Sequence, residues 1–150
     1  MTTASNNLTP SVHRLSISAR KGEKKQNVEE VLINSGGIEG DVHAGSYRAV
    51  SLLPFESFQK LDHPDLTIHP GDFAENITTT GLDFGNLVIG SRIALGKKVT
   101  LEVVQVGKKC HNGCIIRETV GDCIMPREGL FAKVLTGGEL KTGDSIKIIE

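Results

Sequence analysis

The stretch "KVTLEVVQV", residues 98–106, decides the fold class of this chain. Its apolar residues Val99, Leu101 and Val103 alternate with more polar neighbours, and the run ends before Gly107. A period of two places successive side chains on opposite faces of a strand, so one face of this segment is expected to be buried. The stretch therefore predicts a half-buried β-strand.

Runs with the same character occur along the whole chain. The segment "HRLSISAR" alternates Leu15, Ile17 and Ala19 with polar residues, as a second half-buried strand would. Shorter runs with the residue types that favour strands are "AVSLL" at 49–53, "NITTT" at 76–80, "SRIAL" at 91–95, "LFAKVL" at 130–135 and "SIKII" at 145–149. The pattern predicts a chain built mainly of strands.

Helix signals are fewer. The segment "PFESFQKLD", residues 54–62, begins with a proline at a favoured first-turn position and predicts a short surface helix. The segment "NGCIIRETVG", residues 112–121, predicts another, with Asn112 as its cap and Gly121 as its end. The segment "NVEEVLINSGG", residues 27–37, is compatible with either a helical turn or a short strand.

One internal echo indicates how the strands are arranged. The stretches "GNLVIGSRIAL" at 85–95 and "GELKTGDSIKI" at 138–148 share glycines, a leucine and a following isoleucine at the same spacing. Gly90 and Gly143 are each expected to adopt a positive φ in a turn, with Ser91 or Asp144 bonding the local backbone. Two similar corners fit a closed or nearly closed β structure.

The predicted fold is therefore mainly β (α+β), a twisted β-barrel with a few short helices. No composition shift or linker divides the chain after its first dozen residues. We expect residues 1–10 to form a flexible N-terminal arm and residues 11–150 to form a single domain.

Composition excludes several functional classes. A chain of 150 residues can bury a core without disulfides, and its formal net charge of -1 gives no reason to expect a nucleic-acid partner. The polar N-terminus lacks a signal peptide, and no apolar run is long enough to span a bilayer, so a cytoplasmic protein without membrane contact is expected. Phosphate-binding and serine-hydrolase motifs are also missing.

All three cysteines lie in "GKKCHNGCIIRETVGDC", residues 107–123. A cytoplasmic location argues against a disulfide framework, which leaves packing, metal binding or thiol chemistry. Cations at Lys108, Lys109 and His111 favour the thiolate form of Cys110, which is the form that ligates a metal or attacks sulfur. The alternative is a buried cysteine that acts as a small apolar residue.

The other two cysteines differ from Cys110. Cys114 is either a resolving thiol for Cys110 or a core position of a helix, and the sequence leaves both open. Cys123 lies in a strand-like apolar stretch, where packing is the better explanation. A zinc site or thiol-redox module built from these residues and His111 is a rival reading, but the adjacency of Cys110 and His111 makes joint zinc ligation awkward.

Three stretches together resemble the MOSC domain, the molybdenum cofactor sulfurase C-terminal domain. They are "GGIEGDVHAGSYRAVSLLP", "PGDFAENITTTGLD" and "LVIGSRIALGKKVTLEVVQVGKKC", in that order. The resemblance, to a small stand-alone bacterial-type member, runs from about residue 11 to the C-terminus. It implies a β-barrel, a pterin-bound molybdenum as ligand and a cysteine, here Cys110, that ligates the metal or carries sulfur.

The resemblance also implies which other residues contact the cofactor. Residues expected to contribute are Asp41, His43, Arg48, Glu75, Asn76, Lys108, Lys109 and His111, with Cys110 as catalytic thiol and metal ligand. For Arg48 the residue chemistry favours an anion such as the pterin phosphate. For Asp41 and Glu75 loop bracing is the alternative, and for Asp41 it is the favoured one.

Two functions follow as expectations. In the first, the chain binds molybdenum cofactor or carries sulfur as a persulfide, and passes it to cofactor biosynthesis proteins or cofactor-dependent enzymes. In the second, it is a molybdenum-dependent oxidoreductase that reduces N-hydroxylated compounds with a separate reductase. The lack of an electron-donor domain favours the first. Pyridoxal phosphate binding is associated with the wider family by analogy, and no lysine stands out in the sequence as catalytic.

Overall fold

The computed structural model describes residues 9–19, 25–42, 44–45, 49–56, 69–70, 75–106 and 129–149. These residues form a 3₁₀ helix at Phe84–Asn86 and the strands β1 (Ser11–Ile17), β2 (Gln26–Val28), β3 (Glu30–Asn34), β4 (Gly37–Ile38), β5 (Val50–Pro54), β6 (Ile77–Thr80), β7 (Arg92–Leu95), β8 (Val99–Val106), β9 (Leu130–Thr136), β10 (Gly138–Lys141) and β11 (Ile146–Ile149). The mainly β class predicted from the alternating runs is confirmed. None of the described residues forms a helix with the length and apolarity to cross a bilayer.

Each run predicted as a strand contains one. The ambiguous segment 27–37 contains β3, whose Val31 and Ile33 are buried between exposed neighbours. Pro54 is the last residue of β5, and a 3₁₀ turn begins directly after it at Phe55 and Glu56, within the segment predicted to be helical. The remainder of that helix from residue 57, and the predicted helix at 112–121, lie outside the described residues.

The strands form two sheets. The larger sheet has the order β11-β7-β8-β9-β5-β6-β1-β2 and is antiparallel except for the parallel pair β5–β6. The smaller sheet has the order β10-β3-β4. Side chains from both sheets fill one core, in which Leu15, Leu52 and Leu101 from the larger sheet and Ile33 and Leu140 from the smaller one are buried.

The predicted barrel does not close. The segment before β11 approaches β1 at the bridge Ser11–Ser145, where Val12 N–H donates to the Asp144 carbonyl, Gly143 N–H to the Val12 carbonyl and Ile146 N–H to the Pro10 carbonyl, each at 2.8 Å. From Leu15 onward the same edge of β1 is occupied by β2. In this antiparallel arrangement the residues of β11 after Ser145 lie opposite residues before Ser11, so β2 and β11 use different parts of β1; the pairing between β1 and β11 is confined to the bridge, and the sheet is not closed into a barrel.

The two predicted corners are confirmed in detail. Gly90 and Gly143 have φ values of 95° and 94°, in the left-handed region that favours glycine. The Ser91 hydroxyl accepts from Val88 N–H at 2.9 Å, and the Asp144 carboxylate accepts from Lys141 N–H at 2.9 Å. Equivalent side chains therefore close both turns in the same way.

The strands that follow the corners pair with each other. Ile93 of β7 lies opposite Ile148 of β11, and Leu95 lies opposite Ile146, so the two copies of the echo are related by a local twofold pairing. Their outer partners also correspond, since the first corner bonds Val103 of β8 as the second bonds Val12 of β1. The repeated sequence frame thus produces a repeated arrangement of turn, strand and neighbouring strand.

Candidate functional site

One edge of the larger sheet gathers the segments that carry the predicted motifs. A row of paired residues crosses the sheet near this edge, in the order Val28, Leu15, Ile77, Leu52, Leu130 and Val106. At this row or just beyond it, on one side, lie the first residues of β2, β5, β6 and β9 and the last residues of β1 and β8. We call this side of the sheet the motif edge; in chain order, segments 18–25 and 107–129 connect strands that end and begin there, and segments 39–49 and 69–76 precede strands that begin there.

Asn76 lies at the motif edge, directly before β6, and its side chain is bonded on both sides. Its Oδ1 accepts from the Ser51 N–H at 3.0 Å, and its Nδ2 donates to the Ser16 carbonyl at 3.1 Å. Its main chain bonds the same two residues, because Asn76 N–H donates to the Ser51 carbonyl and Ser16 N–H donates to the Asn76 carbonyl. Asn76 is only 1% exposed. These contacts connect the end of β1 to the beginning of β5.

Asp41 is bound by the main chain of Ser18, the residue that directly follows β1. Ser18 N–H donates to Asp41 Oδ1 at 3.0 Å, and the Ser18 carbonyl accepts from Val42 N–H at 2.7 Å. Asp41 is buried although it follows a turn at Gly40, which has a φ of 86°. The Gly-Asp-x-His element is therefore attached to β1 two residues beyond the point where Asn76 is attached.

Lys25 also contacts Asp41. Its ammonium lies 2.7 Å from Asp41 Oδ1 and 3.4 Å from the Ser18 hydroxyl, and both charged side chains are 0% exposed. A buried ammonium requires a countercharge, since desolvation of an isolated ion is very costly. Sequence reasoning did not single out Lys25, because nothing distinguishes it from its neighbours in "RKGEKK".

Glu75 is fully buried beside Asn76. Its Oε2 accepts from the Thr78 hydroxyl at 2.7 Å. This short contact within the "ENITTT" element holds the Glu75 carboxylate beside the beginning of β6. The geometry fits the bracing alternative for Glu75, while contact with a cofactor stays a prediction.

The polar contacts continue outward from Ser16. Its hydroxyl accepts from Asn27 Nδ2 at 2.8 Å, and the same Asn27 amide group donates to the Pro70 carbonyl at 2.9 Å. Pro70 begins the "PGDFAEN" element. Both ends of that element are therefore connected to β1, through Asn27 at Pro70 and through Ser16 at Asn76.

The structure places three of the predicted site residues at the motif edge, namely Asp41, Glu75 and Asn76. The others, His43, Arg48, Lys108, Lys109, Cys110, His111 and Cys114, lie outside the described residues. Val106 and Leu130, which flank the segment that carries Cys110, are paired at the motif edge. Convergence of Cys110 with the motif loops stays a prediction.

The sequence did not indicate which main-chain groups hold the motif side chains. Ser16, Ser18 and Ser51 supply the groups that bind the motif side chains, and all three are buried. Serine in an alternating strand gives no signal of such a role, because the bonds use its main chain, which every residue has. A strand residue that is both small and polar on the buried face was the only available sign.

Donor chemistry decides which residues fit a molybdenum cofactor. Within the described residues no group of three or more histidine, cysteine, aspartate or glutamate side chains can hold a metal ion. Asp41 and Asn76 already accept protein hydrogen bonds and fit the framework of a site. Metal ligation by the thiolate of Cys110, a soft donor, and anion binding by Arg48, Lys108 and Lys109 stay predictions.

Functional residues are commonly carried by loops on a β scaffold, and Asp41, Glu75 and Asn76 occupy such positions at the motif edge. The sequence model of the MOSC domain matches residues 39–147, and the chain belongs to the MOSC domain family, which is associated with the molybdenum cofactor. The match includes Asp41, Glu75, Asn76 and Cys110.

Solved structures share this fold. The YuaD protein of Bacillus subtilis superposes with a TM-score of 0.77 at 21% identity, covering 94% of this chain and 96% of its own. YiiM of Geobacillus stearothermophilus gives 0.73 at 18% identity over 94% and 75%, and YiiM of Escherichia coli gives 0.67 at 18% over 93% and 69%. No curated protein matches the sequence.

Proposed function

We propose that this protein acts in molybdenum cofactor metabolism as a module that binds the cofactor, or carries sulfur as a persulfide, through Cys110. One observation carries the proposal. Val106 and Leu130, which flank the cysteine segment, belong to the same row of paired residues as Leu52 and Ile77, which follow the two motif loops. Membership of the MOSC family supports the identity of the ligand.

The immediate neighbours of Cys110 suit a thiol that works as an anion. Lys108, Lys109 and His111 provide positive charge beside the sulfur, and positive charge favours thiolate over thiol. In the carrier role the Cys110 thiolate attacks the outer sulfur of a donor persulfide. The new S–S bond forms on Cys110 while the donor's S–S bond breaks, and the donor thiolate leaves with the electron pair.

In the cofactor-binding role the same residues hold a bound group. The molybdenum cofactor supplies a metal ion that a thiolate can ligate. Cys110 would provide that ligand, and Arg48, Lys108 and Lys109 would offset the negative charge of the pterin phosphate. The recipients would be cofactor biosynthesis proteins or cofactor-dependent enzymes.

The test is to purify the protein from a host that makes the cofactor. Molybdenum and pterin are measured per chain, and intact mass is measured without reductant, because a persulfide adds the mass of one sulfur atom. Cys110→Ser is expected to abolish both loading and the added mass, since a hydroxyl stays protonated at neutral pH and is a poorer ligand for soft metals. A Cys110→Ser protein that loads cofactor and sulfur as the parent does contradicts the proposal.

The remaining cysteines supply the matched controls. Cys123→Ser is expected to retain loading and to lower stability alone. Cys114→Ser distinguishes the two interpretations of that residue: unchanged loading indicates a packing position, and accumulation of oxidised Cys110 indicates that Cys114 is a resolving thiol.

A further inference from the structure

We propose that Lys25 is a positioning residue, and that Asp41 serves the site through its buried ion pair with Lys25 rather than by touching the cofactor. This inference rests on the proposed function, because the site it positions is the one at the motif edge. It assigns a role to a lysine that precedes both family motifs and lies before the matched region, residues 39–147.

The geometry of the pair is that of a buried, charge-assisted hydrogen bond. The distance from Lys25 Nζ to Asp41 Oδ1 is 2.7 Å, and neither side chain reaches solvent. If one partner is removed, the other charge is left buried without compensation, which is more harmful than replacing both with neutral groups. Each residue of the pair therefore depends on the other.

Asp41 Oδ1 is engaged by two protein donors. The Lys25 ammonium and the Ser18 N–H both bond this oxygen, at 2.7 and 3.0 Å. A carboxylate oxygen offers two lone pairs, so these two donors use its full accepting capacity. Oδ1 is thereby committed to holding the motif loop against β1.

The held segment leads directly to the predicted ligand residues. Val42 N–H donates to the Ser18 carbonyl at 2.7 Å, and Ala44 N–H donates to the Asp41 carbonyl at 3.1 Å. His43 lies between these two anchored residues in the sequence, and Arg48 follows shortly after. An ion pair that fixes Asp41 therefore fixes the start of the segment that presents His43 and Arg48.

A double-mutant cycle tests the proposal. The variants are Lys25→Met, Asp41→Asn and the combination of both, produced in a host that makes molybdenum cofactor. Methionine matches the length of lysine, and asparagine keeps an oxygen for the Ser18 N–H while losing its charge. Lys133→Met is the matched control, because Lys133 pairs with Glu102 at 3.7 Å at an exposed position.

Two readouts are measured at a temperature at which each variant is folded. The first is molybdenum and pterin per chain. We expect each single variant to lose about 10- to 100-fold in loading, and the double variant to recover to within about threefold of the parent. The second readout is hydrogen exchange at the Val42 amide, which is expected to be faster in both single variants and slow again in the double variant.

Each outcome decides the question. Wild-type loading in both single variants overturns the proposal, because the pair would then act on stability alone. A double variant that loads as poorly as Asp41→Asn also overturns it, because Asp41 would then contact the cofactor directly. Should a single variant fail to fold, the folded double variant gives the decision: near-parental loading supports positioning, and loss of loading overturns it.

The exchange measurement separates this proposal from the proposed function. If the parent protein itself binds neither cofactor nor sulfur, the proposed function fails. Faster exchange at Val42 in the single variants and its recovery in the double variant would still show that the ion pair holds the Asp41 segment in place. Unchanged exchange at Val42 in all three variants would contradict the positioning role of Lys25.

Discussion

Asn76 is bonded to both main-chain groups of Ser16. The Ser16 N–H donates to the Asn76 carbonyl at 2.8 Å, and the Asn76 side-chain amide donates to the Ser16 carbonyl at 3.1 Å. On its other side the Asn76 side-chain oxygen accepts from the Ser51 N–H. The side-chain amide has one acceptor and two donors, as this position between two strands requires.

Replacement of Asn76 is expected to destabilise the domain. Asn76→Ala removes the hydrogen bonds that the Asn76 side chain makes to the buried Ser51 N–H and Ser16 carbonyl, and we expect a loss of about 2–3 kcal/mol in the free energy of unfolding. Urea denaturation measures it. Asn86→Ala is the control, since Asn86 is exposed and bonds Asp83, and its change is expected to stay within about 0.5 kcal/mol. Equal losses for the two variants would show that the buried contacts are not the cause.

Valine substitutions at two adjacent threonines of β6 are expected to change the stability of the domain in opposite directions. Thr79 Oγ1 is buried and has no hydrogen-bond partner, whereas Thr78 Oγ1 donates to buried Glu75. Thr79→Val replaces an unsatisfied hydroxyl by a methyl group of the same shape and should stabilise by about 1 kcal/mol. Thr78→Val removes a donor from a carboxylate and should cost about 1–3 kcal/mol. Thermal unfolding of the two variants side by side checks the prediction, which fails if both shift in the same direction.

Alanine substitutions at the two corner glycines are expected to lower the free energy of unfolding by the same amount. A Cβ at Gly90 or Gly143 would meet no atom within 4 Å, so only the positive φ opposes a side chain there. We expect Gly90→Ala and Gly143→Ala each to cost about 1–2 kcal/mol. Gly36→Ala is the control, because its φ is not positive and its neighbours lie at ordinary contact distance, and it should change stability by less than about 0.5 kcal/mol. Denaturant midpoints that differ widely between the two corner variants would contradict their equivalence.

His13 is expected to lower the stability of the domain at acid pH. Partial burial, and next the nearby Arg14 charge, hold the pKa of His13 below its ordinary value of 6.5, while Glu56 opposes them. The folded protein therefore binds fewer protons than the unfolded chain just below pH 6.5, and stability falls as pH drops through that window.

His13→Phe removes this titration and preserves a ring against Phe55, whose centroid lies 4.2 Å from that of His13. We expect the variant to lose less stability than the parent between about pH 7.5 and about pH 5, as measured by urea midpoints. Arg14→Met should reduce the loss for the same reason, since it removes a charge that disfavours protonation. Identical pH profiles for the parent and His13→Phe would exclude this role.

Much of the fold was predictable because it depends on short-range pattern. Alternation of apolar residues marked β8, and the glycine frame around Gly90 and Gly143 marked two turns whose geometry needs only local atoms. A closed or nearly closed β structure was predicted, and the larger sheet is joined to itself only around the Ser11–Ser145 bridge, a contact that the alternation of β1 and β11 does not indicate. The helical segment expected from Pro54 begins one residue later, at Phe55, because Pro54 itself pairs with Thr79 as the last residue of β5.

For the site, the sequence by itself determined which residue types were present in the motif loops and that a thiol with cationic neighbours followed β8. Tertiary structure alone decided which groups hold those loops. Lys25 pairs with Asp41, which is 16 residues away in the sequence, and Ser16 bonds Asn76, which is 60 residues away. Strand register and the exclusion of water determine these pairings. A buried charge or amide can bond only to the groups that folding brings within hydrogen-bond distance. No local pattern of residues encodes that choice.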